Sequence, residues 1–206
     1  METWHELSKR RKIKRIRNIL AHRVLSSLPK KRMPFDAAFV IGMGKTGTSS
    51  TREFLRALGC RHLTVFHPVL RRHELRDYNY LDRMVKHFNS FDDRPWNRLD
   101  VIERYMQSDR DFRFILTTRD PDAWFDSLVR YNRKLGGVPP KEEERRPYIE
   151  ERFLPHYARC KEMAERFSKP LLVVDVTTDP KVGSKIAEFL GLGTNGATFP
   201  HVNRTK

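Results

Sequence analysis

Cysteine is nearly absent: the 206 residues hold two, Cys60 and Cys160. Two thiols cannot build a disulfide framework, which leaves a reducing compartment or at most a single bridge. Long apolar runs are missing too. No stretch approaches the ~18 apolar residues of a membrane-spanning helix. The N-terminus has the charges of a secretion signal without its unbroken apolar segment, so a cytoplasmic protein is expected. His, Cys, Asp and Glu do not fall at metal-ligand spacing, and no metal site is expected. There is no internal repeat, no low-complexity block beyond a basic arm, and no recognised nucleic-acid motif.

Acidic charge is also in deficit, with 41 Lys/Arg against 26 Asp/Glu and a net charge of +15. The imbalance is local. Residues 1–35 carry 11 Lys/Arg and 2 Asp/Glu, so most of the excess belongs to an N-terminal arm, residues 1–33, rather than to the body, residues 34–206. Within the arm, Ile13, Ile16, Leu20, Val24 and Leu28 fall on one helical stripe over residues 8–28, ringed by lysine and arginine. Such a helix can lie on an anionic membrane surface or dock on the domain by its stripe. At this length the body is one domain with a sizeable core.

Strand and helix patterns alternate along the body. Ala37 to Ile41, Arg61 to Phe66, Phe112 to Thr118 and Pro170 to Val176 have strand character, the first of them a continuous apolar run of the kind buried in parallel sheets. Helical spacing appears from Thr48 to Leu58, over residues 69–89, from Trp96 to Met106, from Pro121 to Tyr131, from Tyr148 to Phe167 and after Asp179-Pro180. His67-Pro68 closes the second strand, Phe91 to Trp96 interrupts the helices, residues 138–147 form a polar loop, and Pro155 kinks or splits its helix. Asp120 is suited to cap a helix that begins with Pro121. The alternation implies an α/β fold, a three-layer parallel sheet flanked by helices, with ligands bound beyond the carboxyl ends of the strands.

Two polar clusters sit at such ends. The first is Gly42-Met43-Gly44-Lys45-Thr46-Gly47-Thr48-Ser49-Ser50, a glycine-rich turn that opens a helix. Exposed N–H groups and a positive dipole end there suit an anion, and Lys45 and the hydroxyls add donors. The order is not that of the nucleoside-triphosphate loop, in which lysine follows the last glycine and directly precedes the hydroxyl. Instead, Lys-Thr-Gly-Thr-Ser-Ser resembles the phosphosulfate loop of sulfotransferases that use 3′-phosphoadenylyl sulfate (PAPS). The second cluster is similar to that family's 3′-phosphate signature: Arg119 ends a strand and Ser127 follows eight residues later, with Asp120-Pro121-Asp122-Ala123-Trp124 between them like the pattern R-D-P-x-x-W. Asp93-Arg94-Pro95 and the ending Phe199-Pro200-His201-Val202-Asn203 resemble segments of a small single-domain subfamily.

The resemblance spans about residues 37–203 and implies the P-loop-like sulfotransferase fold, PAPS as donor, 3′,5′-ADP as product, and no metal. It implies that Gly44, Lys45, Thr46, Gly47, Thr48, Ser49, Arg119 and Ser127 bind the nucleotide, with Lys45 steadying the leaving phosphate oxygen. Asp93 is the expected base, with Asp92 and His67 as rivals. The acceptor, a hydroxyl or amine, is unspecified. A basic surface favours an anionic acceptor such as a glycan or lipid, while nucleic acid is disfavoured because no recognised motif for it appears and the basic residues lie mainly in the arm. Two other readings stand beside this one. An NTP-dependent kinase could use Asp175 for Mg²⁺ but lacks the loop order. A non-catalytic basic module binding nucleic acid or membrane would rest on residues 9–32 and lose its affinity on their removal.

Overall fold

The computed structural model describes residues 30–194, 196–200 and 202. The helical stripe at 8–28 and two residues of the ending, His201 and Asn203, lie outside the described residues.

Five strands form one all-parallel sheet. They are β1 (Ala37–Val40), β2 (His62–Leu63), β3 (Ser90–Asp92), β4 (Phe112–Thr118) and β5 (Leu171–Asp175), in the order β2-β3-β1-β4-β5. The helices are α1 (Thr48–Ala57), α2 (His67–Glu74), α3 (Tyr78–His87), α4 (Leu99–Met106), α5 (Pro121–Lys134), the short α6 (Arg145–Tyr148), α7 (Leu154–Arg166) and α8 (Val182–Phe189). Because side chains alternate along a strand, the sheet feeds two cores. Phe39, Phe91, Phe112, Phe114 and Leu116 face α2–α5 and α7, while Ala38, Val40, Ile115 and Val174 face α1 and α8. Phe39 anchors the larger core: its ring stacks on Phe91, Tyr105 and Phe114 at 5.1, 4.9 and 5.5 Å. Three layers with β1 central are what the alternation of elements requires.

Several local expectations are corrected. The second strand is only two residues long. A third strand, Ser90–Asp92, forms where an interruption was expected, and it pairs with both β1 and β2. Its polar residues read as a loop in sequence, yet they are buried: Ser90 meets His62 across the sheet, and Asp92 is paired with Arg52 of α1. His67-Pro68 begins α2 rather than merely ending a strand, since proline fits the first turn of a helix, where its missing N–H costs nothing. The stretch 69–89 is two helices. Arg76, in the left-handed region at φ 56°, breaks the chain, and the Asp77 carboxylate caps α3 by accepting from the Tyr80 N–H at 3.1 Å.

The polar loop at 138–147 is partly helical, drawn in by Arg145, which bridges Asp122, Asp126 and Glu142. A π-helical segment, Ile149–Phe153, precedes α7, and Pro155 lies in the first turn of α7. The last helix starts at Val182 instead of Asp179. Both cysteines are free and buried. Burial pushes the Cys60 thiol up to about 11 and the Cys160 thiol up to about 12, so neither is a ready nucleophile at neutral pH. No helix among the described residues is long and apolar enough to cross a membrane.

Candidate active site

The glycine-rich loop leaves β1 at its carboxyl end and is held from below by the sheet. A Cβ on Gly42 would lie 2.1 Å from Thr117 Oγ1 and 2.4 Å from its carbonyl oxygen, so only glycine lets the loop pass so close to β4. Gly47, at φ 90°, caps α1 in the left-handed region, and a Cβ there would lie 1.8 Å from Val176 Cγ2. The first turn of α1 has no side-chain cap and no acidic residue, which leaves its N–H groups and positive end for an anion.

Two side chains from other elements hold the loop and its root directly, and a third holds the β4 strand beneath it. Trp124 Nε1 donates to the Gly44 carbonyl at 2.9 Å, which gives the tryptophan of the Arg-Asp-Pro-x-x-Trp stretch a physical role. His156 Nε2 donates to the Ile41 carbonyl at 2.7 Å, and the Tyr157 hydroxyl donates to the Thr117 carbonyl at 2.7 Å. Thr46 belongs to this support as well. It is fully buried, and its hydroxyl lies 2.7 Å from the Met43 carbonyl and 2.8 Å from Thr117 Oγ1. Its side chain therefore faces the sheet, whereas Thr48 and Ser49 are partly exposed residues at the helix start.

Lys45 and Arg119 meet above the loop. Lys45 adopts φ 78° and sets its Nζ 4.1 Å from the centre of the Tyr131 ring. An Arg119 guanidinium nitrogen approaches the Lys45 carbonyl at 3.5 Å, and its Nε is buried without a hydrogen-bond partner among the described residues. Burial, then the charges of Arg119, Lys134 and Arg130, hold the Lys45 ammonium below the usual lysine range. Like charges collected here, with no ion pair to Lys45, Arg119, Arg130 or Lys134 among the described residues, suit a polyanion. Asp120 caps α5 as expected, accepting from the Ala123 N–H at 2.8 Å. Trp124, Ser127 and Tyr131 then follow at helical spacing, so buried Ser127 lies on the stripe of α5 that faces the loop.

The carboxylates sit one strand away, where β3 ends. Asp92 is buried and paired: Oδ1 lies 3.1 Å from His62 Nε2, and Oδ2 lies 3.3 Å from Arg52. Burial alone would raise its carboxyl, but the adjacent His62 ring, the Thr64 side chain and the charge of Arg52 outweigh it and hold it below the usual range. Burial pulls the His62 imidazole below its usual range, against the opposing pull of Asp92, and so favours the neutral ring. The neutral ring with Nε2–H toward Asp92 accepts at Nδ1 from the Ser90 hydroxyl, 2.8 Å away. Asp93 differs from its neighbour. It is half-buried, in the left-handed region at φ 59°, and burial together with the charge of Asp92 raises its carboxyl, against the Arg94 N–H that bonds Oδ1 at 2.8 Å. Trp96, fully buried 4.2 Å from the Phe91 ring, holds this turn. His67, the remaining rival, is partly buried at the first turn of α2.

The structure thus brings Gly44, Lys45, Gly47, Thr48, Ser49, Arg119 and Ser127 around one loop, with Asp93 at the adjoining strand end. Sequence reasoning missed His62, His156 and Tyr157. A lone histidine carries no spacing signal, and all three act through contacts far away in the chain.

A five-stranded all-parallel α/β sheet with a glycine-rich loop after its first strand, and a cationic strand end beside it, has the P-loop-like architecture. The match to a known family narrows this. The family model described as a sulfotransferase domain covers residues 38–141, half of the chain, and includes the loop, Asp93, Arg119 and Ser127. The chain belongs to the sulfotransferase family, and its class of chemistry is sulfuryl transfer. No curated protein matches it. Among the described residues no group of His, Cys, Asp and Glu could hold a metal ion.

Proposed function

We propose that the protein transfers a sulfuryl group from PAPS to a hydroxyl or amine of its acceptor. The observation that carries this is the buried, unpartnered Arg119 Nε beside Lys45, Arg130 and Lys134, next to an uncapped helix start. An arginine in that state fits a phosphate oxygen, which would supply the missing acceptor. The residues present therefore suit a ligand with separated phosphate and phosphosulfate groups. When bound, PAPS would supply the sulfuryl group for in-line displacement by the acceptor's hydroxyl oxygen or amine nitrogen, and 3′,5′-ADP would be the leaving product.

The protein's part is placement and charge. Arg119 and Ser127 hold the 3′-phosphate, and the first turn of α1 with Thr48 and Ser49 holds the phosphosulfate end. The Lys45 ammonium, restrained over Tyr131, steadies negative charge on the leaving oxygen. Asp93 accepts the proton from the attacking hydroxyl or amine. Its raised carboxyl is a better base than Asp92, which is held as an anion by His62 and Arg52.

Calorimetry with 3′,5′-ADP, ATP–Mg²⁺ and 5′-AMP tests this directly. Only 3′,5′-ADP should bind tightly, and Arg119→Ala and Lys45→Ala should each weaken it by about ten- to a hundredfold, the loss of one charge-assisted contact. Binding of ATP–Mg²⁺ with none of 3′,5′-ADP would replace the reading with a kinase.

A further inference from the structure

Against the Arg94-Pro95 turn, which directly follows Asp93, lies a cavity of about 720 Å³. Its walls are the end of α2, the start of α3, the Arg94-Pro95 turn and the start of α4. All of these lie at the carboxyl edge of the sheet, since α3 leads down into β3 and α4 leads down from its end. The cavity therefore opens on the same edge as the loop. Arg94 both lines it and follows Asp93 directly, which places their Cα atoms about 3.8 Å apart.

The lining is charged in a particular way. Arg76, Arg94 and Arg98 each contribute an exposed side chain, and none makes an ion pair among the described residues. Two carboxylates share the wall. Asp100 is already engaged, by His73 Nε2 at 2.6 Å and the Tyr78 hydroxyl at 2.9 Å, which leaves Glu74 as the free acid. Arg76 adopts the left-handed region. Non-glycine residues at positive φ are uncommon and gather at functional sites. The described residues contain four: Lys45 and Asp93 of the candidate site, Arg76 of this cavity, and Ser168 elsewhere. Free guanidiniums present planar forks that match carboxylate, sulfate and phosphate groups.

We propose that this cavity binds the acceptor and that the acceptor is a sugar-sized organic acid bearing a hydroxyl. Its acid group lies against Arg94 and Arg98, and its hydroxyl points to Asp93. The volume is within the roughly 300–1,000 Å³ of sites that enclose small ligands, enough for one or two sugar rings. The inference rests on the sulfotransferase reading of Asp93, and it adds the class of the molecule that Asp93 would deprotonate.

The test is calorimetry on the full chain with two probes of one shape: 4-nitrophenyl β-D-glucuronide and the neutral 4-nitrophenyl β-D-glucoside. With the protein saturated in 3′,5′-ADP, so that the loop cations are occupied, the glucuronide should bind at least tenfold more tightly. Glucose 6-phosphate against glucose, run in parallel, tells a phosphate preference from a carboxylate one. The double variant Arg94→Gln/Arg98→Gln should erase the advantage of either acid while the affinity for 3′,5′-ADP stays within twofold of wild type. Both side chains are exposed, and an unchanged melting temperature confirms the fold. Equal binding of acid and neutral probes, no binding of any of them, or an acid preference that survives the double substitution overturns the proposal. The nucleotide arm is read separately. A flat 3′,5′-ADP titration removes the donor assignment, while the acid-versus-neutral comparison on nucleotide-free protein still decides the cavity.

Discussion

Gly47→Ala puts a single methyl group where the loop, α1 and the end of β5 converge. Two costs follow from the structure. An alanine held at φ 90° sits in the left-handed region, which disfavours L-residues by roughly 1–2 kcal/mol. The new Cβ would fall 1.8 Å from Val176 Cγ2, in a buried wall that cannot yield without moving β5 or the loop. Overpacking of this kind costs about 1–3 kcal/mol. The expected destabilisation is about 2–5 kcal/mol by urea denaturation. Val176→Ala alone should cost about 2 kcal/mol, from two lost buried methyl groups and a small cavity.

The double variant separates the two terms. With Val176 trimmed, the 1.8 Å clash with its Cγ2 is gone and a tight 3.2 Å contact to its Cβ remains beside the backbone term, so the pair should be more stable than the sum of the singles by about 1–3 kcal/mol. Simple additivity, within about 0.5 kcal/mol, would show that the Gly47 Cα does not face Val176 as described. A Gly47→Ala protein as stable as wild type would refute the left-handed cap itself.

Two further perturbations address the carboxylates. If Asp93 is the base, the rate falls at acid pH as its carboxylate is protonated, with a midpoint above the ordinary 3.8 because burial raises it. Asp93→Asn should remove that limb and lower kcat by about 10²–10⁴-fold, and an intact limb in this variant would exclude Asp93. His62→Ala removes one of the two groups against the buried Asp92 carboxylate, leaving Arg52, and should cost about 1–3 kcal/mol at pH 7. The folded Asp92 is held below its ordinary 3.8, so its stabilisation is full above that value and is lost as pH falls through the folded value. The gap between wild type and His62→Ala should therefore narrow in acid. A gap independent of pH would count against the pair.

The parts of the fold visible in sequence are those set by local chemistry. Asp120-Pro121 announced a helix start because capping and proline geometry are decided within four residues. Phe112–Thr118 was legible from its length and apolar content. β3 was hidden because Ser90 and Asp92 are polar, and what makes them tolerable in the interior, His62 on β2, lies 28 residues or more away. The same holds for the site. Lys45 and Arg119 stand in a local order that signals an anion. The contacts that aim the loop and the strand beneath it, from Trp124, His156 and Tyr157, cross 80, 115 and 40 residues of chain. Periodicity records the face a residue occupies, not the partner it meets there.

The strand order gives these separated residues a common logic. β3, β1 and β4 are adjacent, and their carboxyl ends carry Asp93, Lys45 and Arg119 in turn. Neighbouring strands lie about 4.8 Å apart, so the outer two are separated by about 10 Å with the glycine-rich loop between them. In-line transfer needs its attacking and leaving atoms on opposite sides of the moving group. On the proposed reading, the sheet meets that need by its order alone: the nucleotide is gripped from β4, the proton is taken from β3, and Lys45 stands over the strand between. The cavity lined by Arg94 lies against the turn that follows β3. An acceptor seated there would approach the loop from the side that the leaving group does not occupy.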